Sequence, residues 1–211
     1  MATALAAAGA APTWATGNMS AAPVEQLRFT VLLDGKPIGS HDFTVAGVPD
    51  EALVRSRASF TVTLLRIPVY RYEHEDQESW HQGCLARMEA HTHDNGQESQ
   101  VSGELTGQGF EVRGPQGAVS LTGCVKSFAY WDKRFLSEHR LLNAQTGAYE
   151  PVQVTLLGTE NIGPPAHRVA AEHYALVSGR LHLELWYSAG GNWLALESRT
   201  EQGHLLRYEL H

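Results

Sequence analysis

His91 and His93 stand two residues apart in a stretch that alternates like a strand, so both imidazoles project from one face. If Trp80 pairs with Cys84 across His81-Gln82-Gly83, Glu73 lies opposite His91 and Arg71 opposite His93. Two imidazoles and a carboxylate on one face could ligate zinc or move protons as acid and base. Glu73, His91 and His93 are therefore the catalytic candidates. A register slip of one residue would instead set Tyr70 and Tyr72 beside the histidines. The plainer reading is a solvated face carrying weak ion pairs. No metal site and no cofactor are expected from the chain. The G-x-S-x-G elbow, the phosphate loop, the G-x-G-x-x-G turn and H-E-x-x-H are all missing from the sequence.

A second chemical grouping is Tyr130-Trp131-Asp132-Lys133-Arg134. Flat rings there offer contact area, and the charges could fix a polar head group. The segment 127–142 breaks the β period. Phe128, Trp131, Phe135 and Leu142 fall at roughly helical spacing, with a short helix expected over 132–138. An aromatic insertion of this kind on a sheet covers a barrel mouth or plugs an open side. Tyr72, Phe128, Tyr130, Trp131, Asp132 and Arg134 make up the expected ligand-contacting set. Trp131 is placed at the mouth or inside the concavity, above Phe128 and Phe135, with Asp132 and Arg134 on the rim. The alternative is a packing plug whose aromatics only complete the core.

The elements that must position these groups are strands. Leu27, Phe29, Val31 and Leu33 alternate with Arg28, Thr30 and Leu32, and Asp34-Gly35 follows as a tight turn. Strands are expected at 38–45, 51–65, 66–80, 84–93, 98–105, 110–113 and 118–121. In the last third they fall at 149–157, 166–176, 181–187, 193–200 and 204–210. Glycine-rich turns separate most of them. Successive hairpins with one apolar face must curl to hide it. The expected fold is all-β, a single antiparallel meander curled into a barrel or deeply curved half-barrel with one short helical insertion. A β-sandwich is the rival architecture.

Composition narrows the partners. The chain has 211 residues, room for one sizeable domain. Sixteen Lys and Arg against 23 Asp and Glu leave a charge of -7, which argues against a nucleic-acid footprint. The sequence has no apolar run of transmembrane length. Residues 1–22 are Ala-rich and uncharged, with the first basic residue at Arg28. Residues 1–24 are expected to be a signal-peptide remnant or a disordered tail, and 25–211 the single β-barrel-like domain. Cys84 and Cys124 could form one bridge in an oxidising compartment, or remain two buried thiols.

Several segments together carry a family resemblance. They are Asp34-Gly35-Lys36-Pro37-Ile38-Gly39, the Trp80–Leu85 hairpin, 141–147, Leu185-Trp186-Tyr187-Ser188, and the closing Gly203-His204 with Arg207-Tyr208-Glu209-Leu210. The chain resembles a proteobacterial exported family of uncharacterised β-rich proteins of about this length, a domain of unknown function. The resemblance implies an exported single domain and brings no catalytic residues. With the curled meander, the aromatic insertion and the missing catalytic motifs, the expectation is a periplasmic or secreted protein of the bacterial envelope that holds a hydrophobic or lipid-like small molecule. A small-barrel enzyme of acid–base isomerisation or cyclisation is the alternative, and it requires Glu73, His91 and His93 to face a cavity.

Overall fold

The computed structural model describes residues 24–65 and 67–211. The signal-peptide or tail expectation for residues 1–24 lies, Val24 apart, outside the described residues. Among the described residues, eight strands come first: β1 (Val24–Leu33), β2 (Lys36–Val48), β3 (Glu51–Leu64), β4 (Ile67–His81), β5 (Cys84–Asp94), β6 (Gln97–Thr106), β7 (Gly109–Gly114) and β8 (Gly117–Leu121). After an insertion containing β9 (Arg140–Leu142) and β10 (Tyr149–Pro151) come β11 (Gln153–Ile162), β12 (Val169–Ser178), β13 (Leu181–Ser188), β14 (Trp193–Arg199) and β15 (Leu205–Leu210).

One antiparallel sheet of 13 strands runs in the order β11-β12-β13-β14-β15-β1-β2-β3-β4-β5-β6-β7-β8. The sheet is deeply curved and not closed: β8 and β11 are its edges, on either side of the insertion. The β1–β15 pairing, with Phe29 opposite Leu210 and Leu33 opposite Leu206, joins the two meanders into one ribbon. This agrees with the all-β expectation: 13 strands form one curved sheet rather than the two facing sheets of a sandwich, and β9 with β10 makes a small separate pair.

Two-residue periodicity turns one set of side chains inward along every long strand. Leu27, Phe29 and Val31 of β1 pack inward with Phe43 and Val45 of β2, Val54 and Phe60 of β3, and Leu183, Leu185 and Tyr187 of β13. Phe29 and Trp193 sit at the centre with ring centroids 4.1 Å apart. Gly39 is the close-approach point of the β2–β3 pair, because a Cβ there would lie 1.9 Å from the Ser59 carbonyl oxygen. Outside, Trp186 lies against Ala171 and Ala195 beneath the stacked His173 ring.

Two elements differ from the expected pattern. The strand expected at 149–157 is two strands, β10 pairing with β9 and β11 with β12, because the chain crosses from the insertion to the main sheet at the buried Val152. The helix expected at 132–138 is a single 3-10 turn over Lys133–Ser137. Asp132 caps it by accepting from the Arg134 backbone N–H at 3.1 Å. So short a turn suits a segment pinned at both ends.

Candidate functional site

The curled sheet encloses a cavity of about 1090 Å³. Its lining runs from hairpin ends at Leu33, Val69, Leu181 and Gln202–His204 to Ser127, Phe128 and Trp131 of the insertion. At the hairpin end the lining meets solvent: Val69 is 50% exposed, and Gln202 and His204 are exposed. That end is the mouth. At the other end the insertion seals the ribbon. Cys84, at the start of β5, is disulfide-bonded to Cys124 with Cα atoms 5.2 Å apart. Leu85 N–H donates to the Val125 carbonyl at 2.9 Å, and Leu142 N–H to the Lys126 carbonyl at 2.8 Å. Arg134 holds Asp132 at 2.9 Å and Asp50 of the β2–β3 turn at 2.7 Å.

One wall of the cavity is polar. On β4 the inward residues are Tyr72, His74, Asp76, Glu78 and Trp80, alternating with exposed Arg71, Glu73, Glu75 and Gln77. Register places His41 opposite Ala58, Ala58 opposite His74, and His74 opposite Thr92. In the next row Ser56 faces Asp76. His41 Nε2 bonds Ser56 Oγ at 2.7 Å, and His74 Nδ1 bonds Thr92 Oγ1 at 2.9 Å. Burial holds the His41 imidazole down at about 3, helped by the nearby His74, and holds His74 down at about 4. Both rings are neutral near pH 7.

Asp76 and Glu78 form a buried carboxyl pair. Burial, and then the Glu78 charge, drive Asp76 well above the usual carboxylate range. Burial also raises Glu78, opposed by its neighbours Ser127, Trp80 and Asp76. Trp80 Nε1 donates to Glu78 Oε2 at 2.9 Å, while Ser127 stands beside Glu78 without a well-formed hydrogen bond. Both carboxyls are pushed the same way, so they titrate as a coupled pair with raised proton affinity. Above them Trp131 meets Trp80 edge to face, with centroids 5.5 Å apart.

The sequence-expected residues divide between two faces. Tyr72, Phe128, Tyr130 and Trp131 line the cavity, with Tyr72 stacked on Phe60 at 5.2 Å. Trp131 is inside the concavity, at its sealed end. Asp132 and Arg134 are not on the rim: Asp132 is buried as the cap, and Arg134 turns outward to Asp50. Glu73, His91 and His93 lie on the outer face, over a shallow depression shared with Glu75, Glu98 and Gln100. The pairing there also differs, with Glu75 opposite His91 and Glu73 opposite His93, while Trp80 pairs with Leu85.

The cause of that shift is local. The turn has two residues, Gln82 and Gly83, both at positive φ, and a bulge follows between Ser79 and Trp80. Each moves the register by one, so the face is kept and the partner changes. Arg57 takes Glu75 at 2.7 Å, and the Gln100 amide lies 3.0 Å from His91 Nδ1. Among the described residues no group of three His, Cys, Asp or Glu side chains is arranged to hold a metal ion.

Sequence reasoning missed His41, Ser56, His74, Asp76 and Glu78. The available signal was parity. Tyr72 and Trp80, the large apolar residues of β4, share phase with His74, Asp76 and Glu78, and His41 shares phase with Phe43 and Val45. Polar residues at inward positions of an otherwise apolar face mark a lined cavity rather than a solvated surface.

The open, deeply curved sheet, its sealed end and its polar-walled interior define a β-barrel-like protein with an internal cavity. The chain belongs to the domain of unknown function family DUF6134, whose model matches residues 29–211. Among solved structures it is similar to the β-barrel-like protein of domain of unknown function DUF1849 from Brucella abortus. That likeness has a TM-score of 0.65 at 9% identity over 90% of this chain and 96% of the other, and shows the shared fold alone. A search of curated proteins finds no match.

Proposed function

We propose that this protein binds an elongated hydrophobic small molecule, lipid-like in character, in the cavity of its curled sheet. The observation that carries the reading is the 1090 Å³ space open at the hairpin end and closed by the insertion. A cavity of about this size accommodates a molecule well beyond solvent dimensions. Its apolar lining includes Phe43, Val54, Phe60, Tyr72, Leu183 and Tyr208, and among the described residues no Lys or Arg side chain lines it. The reading includes a periplasmic or secreted location, supported by the Cys84–Cys124 bridge, since such bonds persist in oxidising compartments.

Native mass spectrometry of protein purified from its own host tests this reading. A retained adduct of lipid-like mass, lost on denaturation, is expected. Adduct-free protein that also fails to take up an apolar fluorescent dye overturns it. A second reading is favoured by the buried Asp76–Glu78 pair, whose raised proton affinity suits acid–base isomerisation or cyclisation inside the cavity. In that case the bound molecule leaves chemically rearranged, as chromatography of material recovered after incubation would show.

A further inference from the structure

Resting on the binding reading above, we propose that the sealed end of the cavity is a recognition subsite for a neutral group that both donates and accepts hydrogen bonds, a hydroxyl or amide at one end of the hydrophobic ligand. Among the described residues five buried side-chain polar atoms have no hydrogen-bond partner, and four of them, on His41, Asp76, Ser127 and Trp131, belong to cavity-lining residues. Buried polar groups are ordinarily paired, so a concentration of unpaired ones along one cavity marks where a partner goes. Each of the four residues is at least nine-tenths buried, Ser127 at 3% exposure and Trp131 at 9%.

The chemistry of these atoms selects the group. Trp131 Nε1 is a donor only and requires an acceptor. Asp76 Oδ1 is a buried carboxyl oxygen without a partner and can accept. The Ser127 hydroxyl serves either way. An ammonium has no lone pair for the indole. A carboxylate or phosphate has no proton for Asp76, and among the described residues no Lys or Arg stands on this lining to meet its charge. A hydroxyl or an amide satisfies both ends.

The test uses the whole chain and a matched set of probes: dodecane, dodecanol, dodecanamide, dodecanoate and dodecylamine, each displacing a polarity-sensitive naphthalene dye. Dodecanol and dodecanamide are expected to displace the dye at concentrations roughly three- to tenfold lower than the carboxylate and amine, the value of about one net hydrogen bond. Trp131→Phe, which keeps an aromatic ring and removes the donor, should erase that preference among the head groups. Asp76→Leu should do the same if it folds. Equal displacement by all head groups, tighter binding of dodecanoate, or a preference that survives Trp131→Phe overturns the subsite and leaves the cavity reading intact. Failure of both dye and dodecane to bind overturns the two together.

Discussion

Trp80 and Trp131 meet edge to face, centroids 5.5 Å apart and planes at 84°, and this contact joins the inner face of β4 to the insertion that seals the ribbon. The two indoles differ in one respect. Trp80 Nε1 donates to Glu78, whereas Trp131 Nε1 is buried without a partner. Trp131 therefore contributes packing to the folded protein and holds its polar atom in reserve.

That difference separates two substitutions. Trp131→Ala should cost about 3–5 kcal/mol, the usual range for truncating a buried Trp. Trp131→Phe keeps much of the contact and breaks no hydrogen bond, so its cost should be well below that. Urea unfolding of the two variants beside the parent measures both. Equal losses would show that the indole N–H is bonded in the unliganded protein.

The bridge closing the sealed end should stabilise the fold by about 2–4 kcal/mol, since it closes a long loop. Cys84→Ser with Cys124→Ser, or reduction, should lower the unfolding midpoint accordingly. It should also speed amide hydrogen exchange in residues 125–142 before the rest of the sheet. Uniform exchange across the chain would show that the insertion is held by packing alone.

Acid should weaken the protein through His41 and His74. In the unfolded chain both titrate near 6.5, but in the folded chain they are held at about 3 and about 4. Between these values the unfolded state binds more protons. Their contribution is thus fully present above 6.5 and is lost as pH falls toward 4 and then 3. His74→Gln should make the acid limb of a melting-temperature profile shallower. An unchanged limb would place a charged His74 in the fold.

Asp76 has the opposite sign. Its folded proton affinity is raised above the ordinary 3.8, so its contribution is fully present below 3.8 and is lost as pH rises through the elevated value. Asp76→Asn removes the titration. The melting temperature of the variant relative to the parent should climb steadily from acid to neutral pH. A constant difference would mean that Asp76 titrates normally.

Much of this architecture is legible in the residues. The alternation of Leu27, Phe29 and Val31, the Asp34-Gly35 turn and the glycine punctuation give antiparallel hairpins, and the apolar face requires them to curl. The break in period over 127–142 coincides with the insertion that carries the 3-10 turn between β8 and β11. The polar wall was harder to see, because His74, Asp76 and Glu78 look like a solvent face when residue type is read before parity. The outer pairing of His91 with Glu75 depends on a bulge at Ser79–Trp80 that has no signature in the residue types. Asp132 and Arg134 look like rim charges until the Asp50 contact, made across 84 positions of chain, is seen.

The pairing of β1 with β15 has a kinetic consequence. Phe29 and Leu210 are neighbours in the middle of the ribbon yet lie at opposite ends of the described chain. Each flanking meander forms from nearest-neighbour hairpins, which close quickly because their contacts are local. The joint between them spans the greatest sequence separation of any pairing among the described strands and must wait for β15 to be made. Until it forms, Phe29, Phe43 and Trp193 have no common core, and two half-sheets expose their apolar faces and unpaired strand edges to aggregation. Truncation within β15 should therefore leave a chain that makes hairpins but never the cavity.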